Sequence, residues 1–249
     1  MKLTKIMLVG IITSASLSYA LDNLTLPIES QAKEVYVGGI WASYDDGSIQ
    51  NFGPGFKFGL MPNLELGIEV PLTNFSPDHG SGEFGLNQVT IGAKYAFAPT
   101  LAGFVDFALP FGSSKIVDDN PTLNTDFGVL IDTRADQIHL RGNVSYEWIP
   151  ENKDKYDAGN IFGVELRPGF QLNPGFEAFL DMTFAGVNTS AVDGTDRPGT
   201  SNWLFVAGPG ALVNIDKTTR IEGLVDFLLL KDKDNGLNWA LSLQFNKQL

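Results

Sequence analysis

The chain has no cysteine and only two histidines in 249 residues. It therefore has no disulfide to hold a small exported fold together and no N-terminal cysteine to carry a lipid anchor. Basic residues are sparse, with 17 Lys and Arg against 29 Asp and Glu, for a formal net charge of -12. A surface of that sign repels phosphate backbones and argues against nucleic acid as a partner. After the first twenty residues there is no long uncharged apolar run. That excludes membrane-spanning helices but not membrane-spanning strands, whose alternating residues average to a neutral hydropathy.

The shortage of histidine also narrows the chemistry. His79 lies in the loop sequence SPDHGSG, where Ser76 and Ser81 are close but no third orienting group is fixed, and His139 falls on the polar parity of a strand. Neither makes a triad. Asp118-Asp119-Asn120 and Asp193-Gly194-Thr195-Asp196 offer carboxylate oxygens without the spacing of an EF-hand loop. Gly53-Pro54-Gly55 and Gly208-Pro209-Gly210 lack the lysine and helix of a phosphate loop and read as kinks or bulges that curve a sheet. No catalytic residue, no metal site and no cofactor is expected.

The N-terminus, MKLTKIMLVGIITSASLSYA, places Lys2 and Lys5 before an apolar run from Ile6 to Ile12 and ends on Ser18-Tyr19-Ala20. This three-part pattern is that of a signal peptide, expected over residues 1–20, with a mature start near Leu21. Its apolar run is far shorter than the roughly 20 residues a spanning helix needs. Without Lys2 and Lys5, 15 of the 17 basic residues stay, and the net charge moves to near -14.

Asn63 to Leu72 reads NLELGIEVPL, with Leu64, Leu66, Ile68, Val70 and Leu72 on one parity and Glu65 and Glu69 on the other. A strand turns its side chains every two residues, so this segment has one apolar face and one acidic face. The alternation recurs. Val89, Ile91, Ala93, Tyr95 and Phe97 share a face opposite Lys94. Ile138, Leu140, Val144, Tyr146 and Trp148 oppose His139, Arg141 and Glu147. Phe176, Ala178, Leu180, Met182 and Phe184 oppose Glu177 and Asp181. Leu237, Trp239, Leu241, Leu243 and Phe245 oppose Asn238, Ser242 and Gln244. With the weaker segments between them, the chain contains about twelve strands of roughly ten residues, the length a tilted strand needs to cross a bilayer.

The joints sort by length. Met61-Pro62-Asn63, Ala98-Pro99-Thr100, Ala135-Asp136, Asn173-Pro174-Gly175 and Asp216-Lys217 are tight turns, and between them fall the longer polar stretches Asn74 to Phe84, Gly112 to Leu123, Pro150 to Asp157 and Val187 to Ser201. Short turns on one side and long loops on the other mark an outer-membrane barrel. The fold expected is all-β: an up-and-down antiparallel transmembrane β-barrel of about twelve strands over residues 21–249, behind a cleaved signal peptide. Both termini then lie on the periplasmic side. The C-terminal Leu249 stands where such barrels commonly carry an aromatic residue.

If the apolar parity meets lipid, the other parity lines a lumen. Its charged members in the first half of the chain are Lys57, Glu65, Glu69, Lys94, Asp106, Asp132 and Arg134. The second half adds His139, Arg141, Glu147, Glu165, Arg167, Glu177, Asp181, Arg220, Glu222 and Asp226. An unpaired ion in a narrow lumen costs several kcal/mol, on the order of any buried charge, so mixed signs imply ion pairs across the barrel. Opposed acids and bases could sort solutes along a polar path, or simply pack the barrel shut. Outer-membrane lipid, lipopolysaccharide and a small solute are the partners expected.

GLMPNLELGIEVPL from Gly59, GLNQVTIGAKYAF from Gly85 and LPFG from Leu109 resemble the outer-membrane transporters grouped as the MetA-pathway of phenol degradation family. The likeness of pattern runs over most of the mature chain, and its specific motifs lie between Gly59 and Gly112. It implies passive uptake of small, often aromatic or hydrophobic, compounds across the outer membrane and brings no catalytic residues. A non-conducting structural or surface-binding barrel, and a soluble secreted β-sandwich, are the alternatives.

Overall fold

The computed structural model describes residues 24–117, 121–196, 200–232 and 237–249; the expected signal peptide and Asp118-Asp119-Asn120 lie outside them. Alternating sequences form the strands β1 (Lys33–Tyr44), β2 (Gly47–Met61), β3 (Leu64–Glu69 and Leu72–Pro77) and β4 (Glu83–Leu86 and Thr90–Ala98). They continue as β5 (Leu101–Ala108), β6 (Asn124–Ala135), β7 (Ile138–Trp148), β8 (Ile161–Asn173), β9 (Phe176–Val187), β10 (Asn202–Asn214), β11 (Thr219–Lys231) and β12 (Leu237–Gln248). Each pairs antiparallel with its neighbours, and β1 pairs with both β2 and β12, so the sheet closes on itself as a twelve-stranded barrel. Closure leaves no sheet edge, the condition for a sheet to sit in lipid.

Both breaks in β3 and β4 have local causes. Val70 and Pro71 face Pro54 and Gly53 across the β2 register, and two prolines at one place remove two ladder donors. Between Leu86 and Thr90 the register with β3 slips by one residue, as at a bulge. On the short-turn side Asn63 and Asp136 hold φ of 69° and 52°, a left-handed conformation that Asn and Asp adopt more readily than other side chains. The stretch Asn74 to Phe84, expected as a loop, is mostly strand: β3 runs on to Pro77 and β4 starts at Glu83. Two outer loops meet in a small sheet of Tyr156–Asp157, Ala191–Val192 and Thr195–Asp196, which takes up the oxygen-rich stretch at Asp193.

The exterior is apolar. Val37, Trp41, Phe56, Leu66, Ile68, Val129, Val144, Leu180 and Leu243 all stand exposed on the outer parity, far more apolar surface than a water-soluble protein presents. Toward the long-loop side, aromatic pairs ring the wall: Trp41 with Trp239, Phe127 with Tyr146, and Phe184 with Trp203, at centroid distances of 5.7, 5.7 and 5.9 Å. Tyr95, Phe97 and Phe170 are exposed near the short-turn side. Two aromatic belts around an apolar band place the barrel across a membrane.

Two residues depart from the expected faces, and one of them, Val89, read with the outer parity of Ile91 and Tyr95, is buried beside the slip between Leu86 and Thr90. Leu237, read as lipid-facing, is buried inside the barrel, because the register between β1 and β12 shifts between Ser43 and Tyr44 and turns Leu237 inward. A one-residue slip flips a side chain to the other face.

Candidate functional site in the barrel lumen

The inner half of the lumen, nearer the short turns, is ionic. On β7 and β8 Arg141 and Arg167 stand directly opposite in register. Arg141 Nη2 donates to Glu177 Oε1 at 3.1 Å and Nη1 to Glu222 Oε2 at 3.0 Å. Arg167 Nε donates to Asp181 Oδ1 at 2.8 Å, Nη2 to Glu165 Oε1 at 2.9 Å, and Nη1 to Glu222 Oε1. Thr183 donates to the second oxygen of Asp181 at 3.0 Å. His139 is held between two acids, with Nδ1 and Nε2 each 2.8 Å from a carboxylate oxygen, of Glu177 and Asp132 respectively. Arg134, at the mouth, adds a contact to Glu177 at 3.2 Å. Charge-assisted bonds of this kind satisfy ions that would be costly alone.

On the opposite side a second cluster joins Lys57 to Glu34 at 3.3 Å, Lys94 to Glu65 at 3.5 Å, and the Tyr36 hydroxyl, donating, to Glu69 at 3.0 Å. Lys94 and Glu65 are register partners on adjacent strands, so this pair lies along the wall rather than across it. Glu69 thus takes a tyrosine hydroxyl as its hydrogen-bond donor. Three lumenal rings lie over glycine on the neighbouring strand: Tyr36 over Gly55, Phe104 over Gly128 and Phe179 over Gly210. A Cβ on any of those glycines would collide with its ring. The glycines therefore make room for aromatic rings to lie flat along the lumen wall.

An N-terminal strap, residues 24–32, lies within the inner mouth. Its carbonyl at Thr25 accepts from Lys94 Nζ at 2.9 Å, its Leu26 N–H donates to Asp132 Oδ2 at 3.3 Å, and its Ile28 N–H donates to Glu65 Oε2 at 2.8 Å. Leu26 packs on the buried trio Ala102, Phe104 and Leu130. The strap thus connects the two ionic clusters through backbone groups.

The outer half of the lumen has two unlike walls. Along one register row run Asp106, Asp126 and Glu147 on β5 to β7, followed without a gap by Ile161 on β8 and Val187 on β9. The carboxylates give way to an apolar wall of Ile40, Ala42, Ile161, Ala185, Val187, Leu204, Val206, Leu237 and Ala240, with Tyr44, Ile149 and Leu228 beside it. Asn124 Nδ2 donates to Glu147 at 3.2 Å. Two remaining sequence candidates stand apart. Asp226 lies four residues beyond Glu222, within electrostatic reach of Asp181 and Arg167. Arg220 lines a groove of about 190 Å³ at the inner rim with Glu34, Asp216 and Asn246.

Sequence reasoning passed over Glu34, Tyr36, Asn246, Asp126 and Phe179, all on the lumenal parity of their strands. Parity held a usable signal for each, since Val35, Val37 and Trp41 bracket Tyr36 and Phe245 precedes Asn246.

A closed barrel with an apolar outer band, paired aromatic belts and an ion-paired interior is an outer-membrane β-barrel. The start of β1 and the end of β12 lie on the side of the short turns. The chain belongs to the MetA-pathway of phenol degradation family, whose pattern matches residues 23–245. Its fold is similar to the COG4313 outer membrane channel from Pseudomonas putida F1, at 14% identity and a TM-score of 0.73 over 92% of this chain and 98% of that one. It is also similar to the translocator domain of the autotransporter NalP from Neisseria meningitidis, at 10% identity and 0.60 over 97% and 96%. The CymD monoaromatic hydrocarbon channel aligns at 8% identity and 0.54 over 88% and 89%. No curated protein matches the sequence.

Proposed function

We propose that this barrel is a passive outer-membrane channel for small, apolar or aromatic solutes. The observation that carries the reading is the apolar wall of the outer lumen, where Ile40, Val187, Leu204 and Val206 face inward on strands whose alternation would place polar groups there. Apolar residues on the lumenal parity waste no hydrophobic burial if what they meet is an apolar solute, because transfer of a small ring or chain from water onto such a wall is favourable. The family's association with phenol degradation and the hydrocarbon-channel likeness support the same class. The lumenal ions below this wall, from Lys57 and Glu65 through to Glu222 and Asp226, are read as the lining that sets which solutes pass. Lipid surrounds the belt, lipopolysaccharide meets the outer girdle, and no nucleic acid is involved.

The reading is non-enzymatic. His139 is committed at both ring nitrogens to Glu177 and Asp132, and it lies on the lumenal face, away from lipid substrates.

Entry of toluene and of glucose into vesicles with a lipopolysaccharide outer leaflet, each taken as the excess over the same vesicles without the protein, tests the reading. Toluene entry is expected to exceed glucose entry, and Val206→Glu, which sets a charge on the apolar wall, is expected to abolish the preference. Equal acceleration of both solutes by the native protein would sink it.

A further inference from the structure

Arg141 and Arg167 are register partners, and like charges directly opposite each other weaken a strand pair. Most of the acids that relieve them come from the same or the adjoining strands: Glu165 on β8, and Glu177 and Asp181 on β9. Glu222 is different. It reaches both arginines from β11, with β9 and β10 in between, giving one carboxylate oxygen to each guanidinium. Behind this bridge Phe179, Leu212 and Leu224 form a buried apolar cluster against the wall. The guanidinium carbons of Arg141 and Arg167 lie 5.2 and 4.7 Å from the Phe179 ring centroid, within cation–π range. The bridge is therefore a chord across one side of the lumen, backed by a buried apolar cluster and an aromatic ring.

We propose that Glu222 is the specificity-determining residue of the channel, closing an ionic bar that excludes hydrated inorganic ions. The proposal rests on the barrel being a channel and names what it turns away. Glu222 takes one Nη group of each guanidinium, and Glu177, Asp181 and Glu165 take three more of their nitrogens, so that Arg141 Nε alone of the six is left without a carboxylate. Removing that carboxylate takes one negative charge from the lumen and leaves one Nη group on each of two adjacent cations without its carboxylate, where it recruits water and anions, while Glu177, Asp181 and Glu165 keep their own contacts.

The test is single-channel recording of the full-length protein in planar bilayers, with folding checked by heat-dependent migration on gels. Glu222→Ala is expected to raise potassium chloride conductance roughly threefold or more, and to move the reversal potential under a salt gradient toward that of chloride. A folded variant with native conductance and native reversal potential overturns the proposal, and so does a rise without the anion shift. Glu222→Gln keeps the side-chain volume and is expected to show the same direction of shift; should the alanine variant not fold, an unmoved reversal potential in the glutamine variant overturns the proposal by itself. Toluene entry measured on the same preparations separates the two readings. Unchanged ion behaviour with protein-dependent toluene entry intact removes only the role of Glu222, whereas a native protein that adds no toluene entry over protein-free vesicles removes the channel reading.

Discussion

The inner and outer halves of the lumen are built on the same strands from opposite materials. On β9, Glu177 and Asp181 near the short turn hold arginines, while Ala185 and Val187 near the outer loops join an apolar wall. On β11, Glu222 engages both arginines and Leu228 packs against that wall. A uniformly polar lumen would be the cheaper design for a water-filled pore. The change of material along single strands therefore teaches that the two halves differ in kind: the inner half is a network of mutually paired ions, and the outer half presents an apolar wall, the surface that the proposed channel offers to an apolar solute.

The largest effect is expected in the ionic half. Arg167→Ala leaves Glu165, Asp181 and Glu222 short of their shared partner, a loss of about 3 to 5 kcal/mol for a broken buried pair. Urea unfolding of the refolded barrel in vesicles measures it, and a cost below that of an apolar truncation would erase the distinction between the halves. Next comes the boundary between lumen and lipid. Leu66→Arg is expected to impair assembly by roughly 2 to 4 kcal/mol at the bilayer midplane, while Glu65→Gln, which still accepts from Ile28 N–H, is expected to assemble and to change permeation instead. Equal tolerance of both in a membrane-insertion assay would refute the two faces. In the outer half, Leu204→Ala is expected to cost about 2 kcal/mol, the low end for a buried leucine, and to weaken toluene entry more than it weakens the barrel.

The smallest effect lies outside the membrane, at the turn before β11. The Asp216 carboxylate accepts from Thr218 N–H and from the hydroxyls of Thr218 and Thr219, and with Lys247 nearby its pKa is held below the usual carboxylate value. A group depressed in the folded state adds stability at neutral pH and loses it as pH falls through the acid range. The gap in melting midpoint between native protein and Asp216→Asn is therefore expected to be small at pH 7 and to close on acidification. A gap that widens in acid would contradict the hydrogen bonding at this turn.

The architecture was legible because strand alternation has a period of two and needs no partner to be seen. NLELGIEVPL shows its two faces alone, and Asn173-Pro174-Gly175 shows its turn alone. The strap was not legible, since residues 24–32 have no periodicity and are held by bonds to Lys94, Asp132 and Glu65, far away in sequence. Nor was the apolar wall, because an inward Leu204 and an outward Trp203 are both apolar and parity cannot rank them. The ion pairs were expected only as a class. Which acid meets which base depends on the stagger of strands around the barrel, and that stagger brought Glu222 to Arg141 from four strands away and to Arg167 from three.

The pairing of β1 with β12 places Glu34 opposite Gln248, so the last strand of the barrel completes the wall that its first strand began. Nothing along the chain can be sealed in advance. Until the final strand arrives, β1 and β11 are open edges with a full row of unpaired backbone groups, and such edges join other chains as readily as their own. The contacts that close the barrel are also the ones with the greatest loop entropy to overcome, which slows folding. Loss of β12 would thus leave a long-lived, sticky intermediate for quality-control proteases rather than a slightly weaker channel.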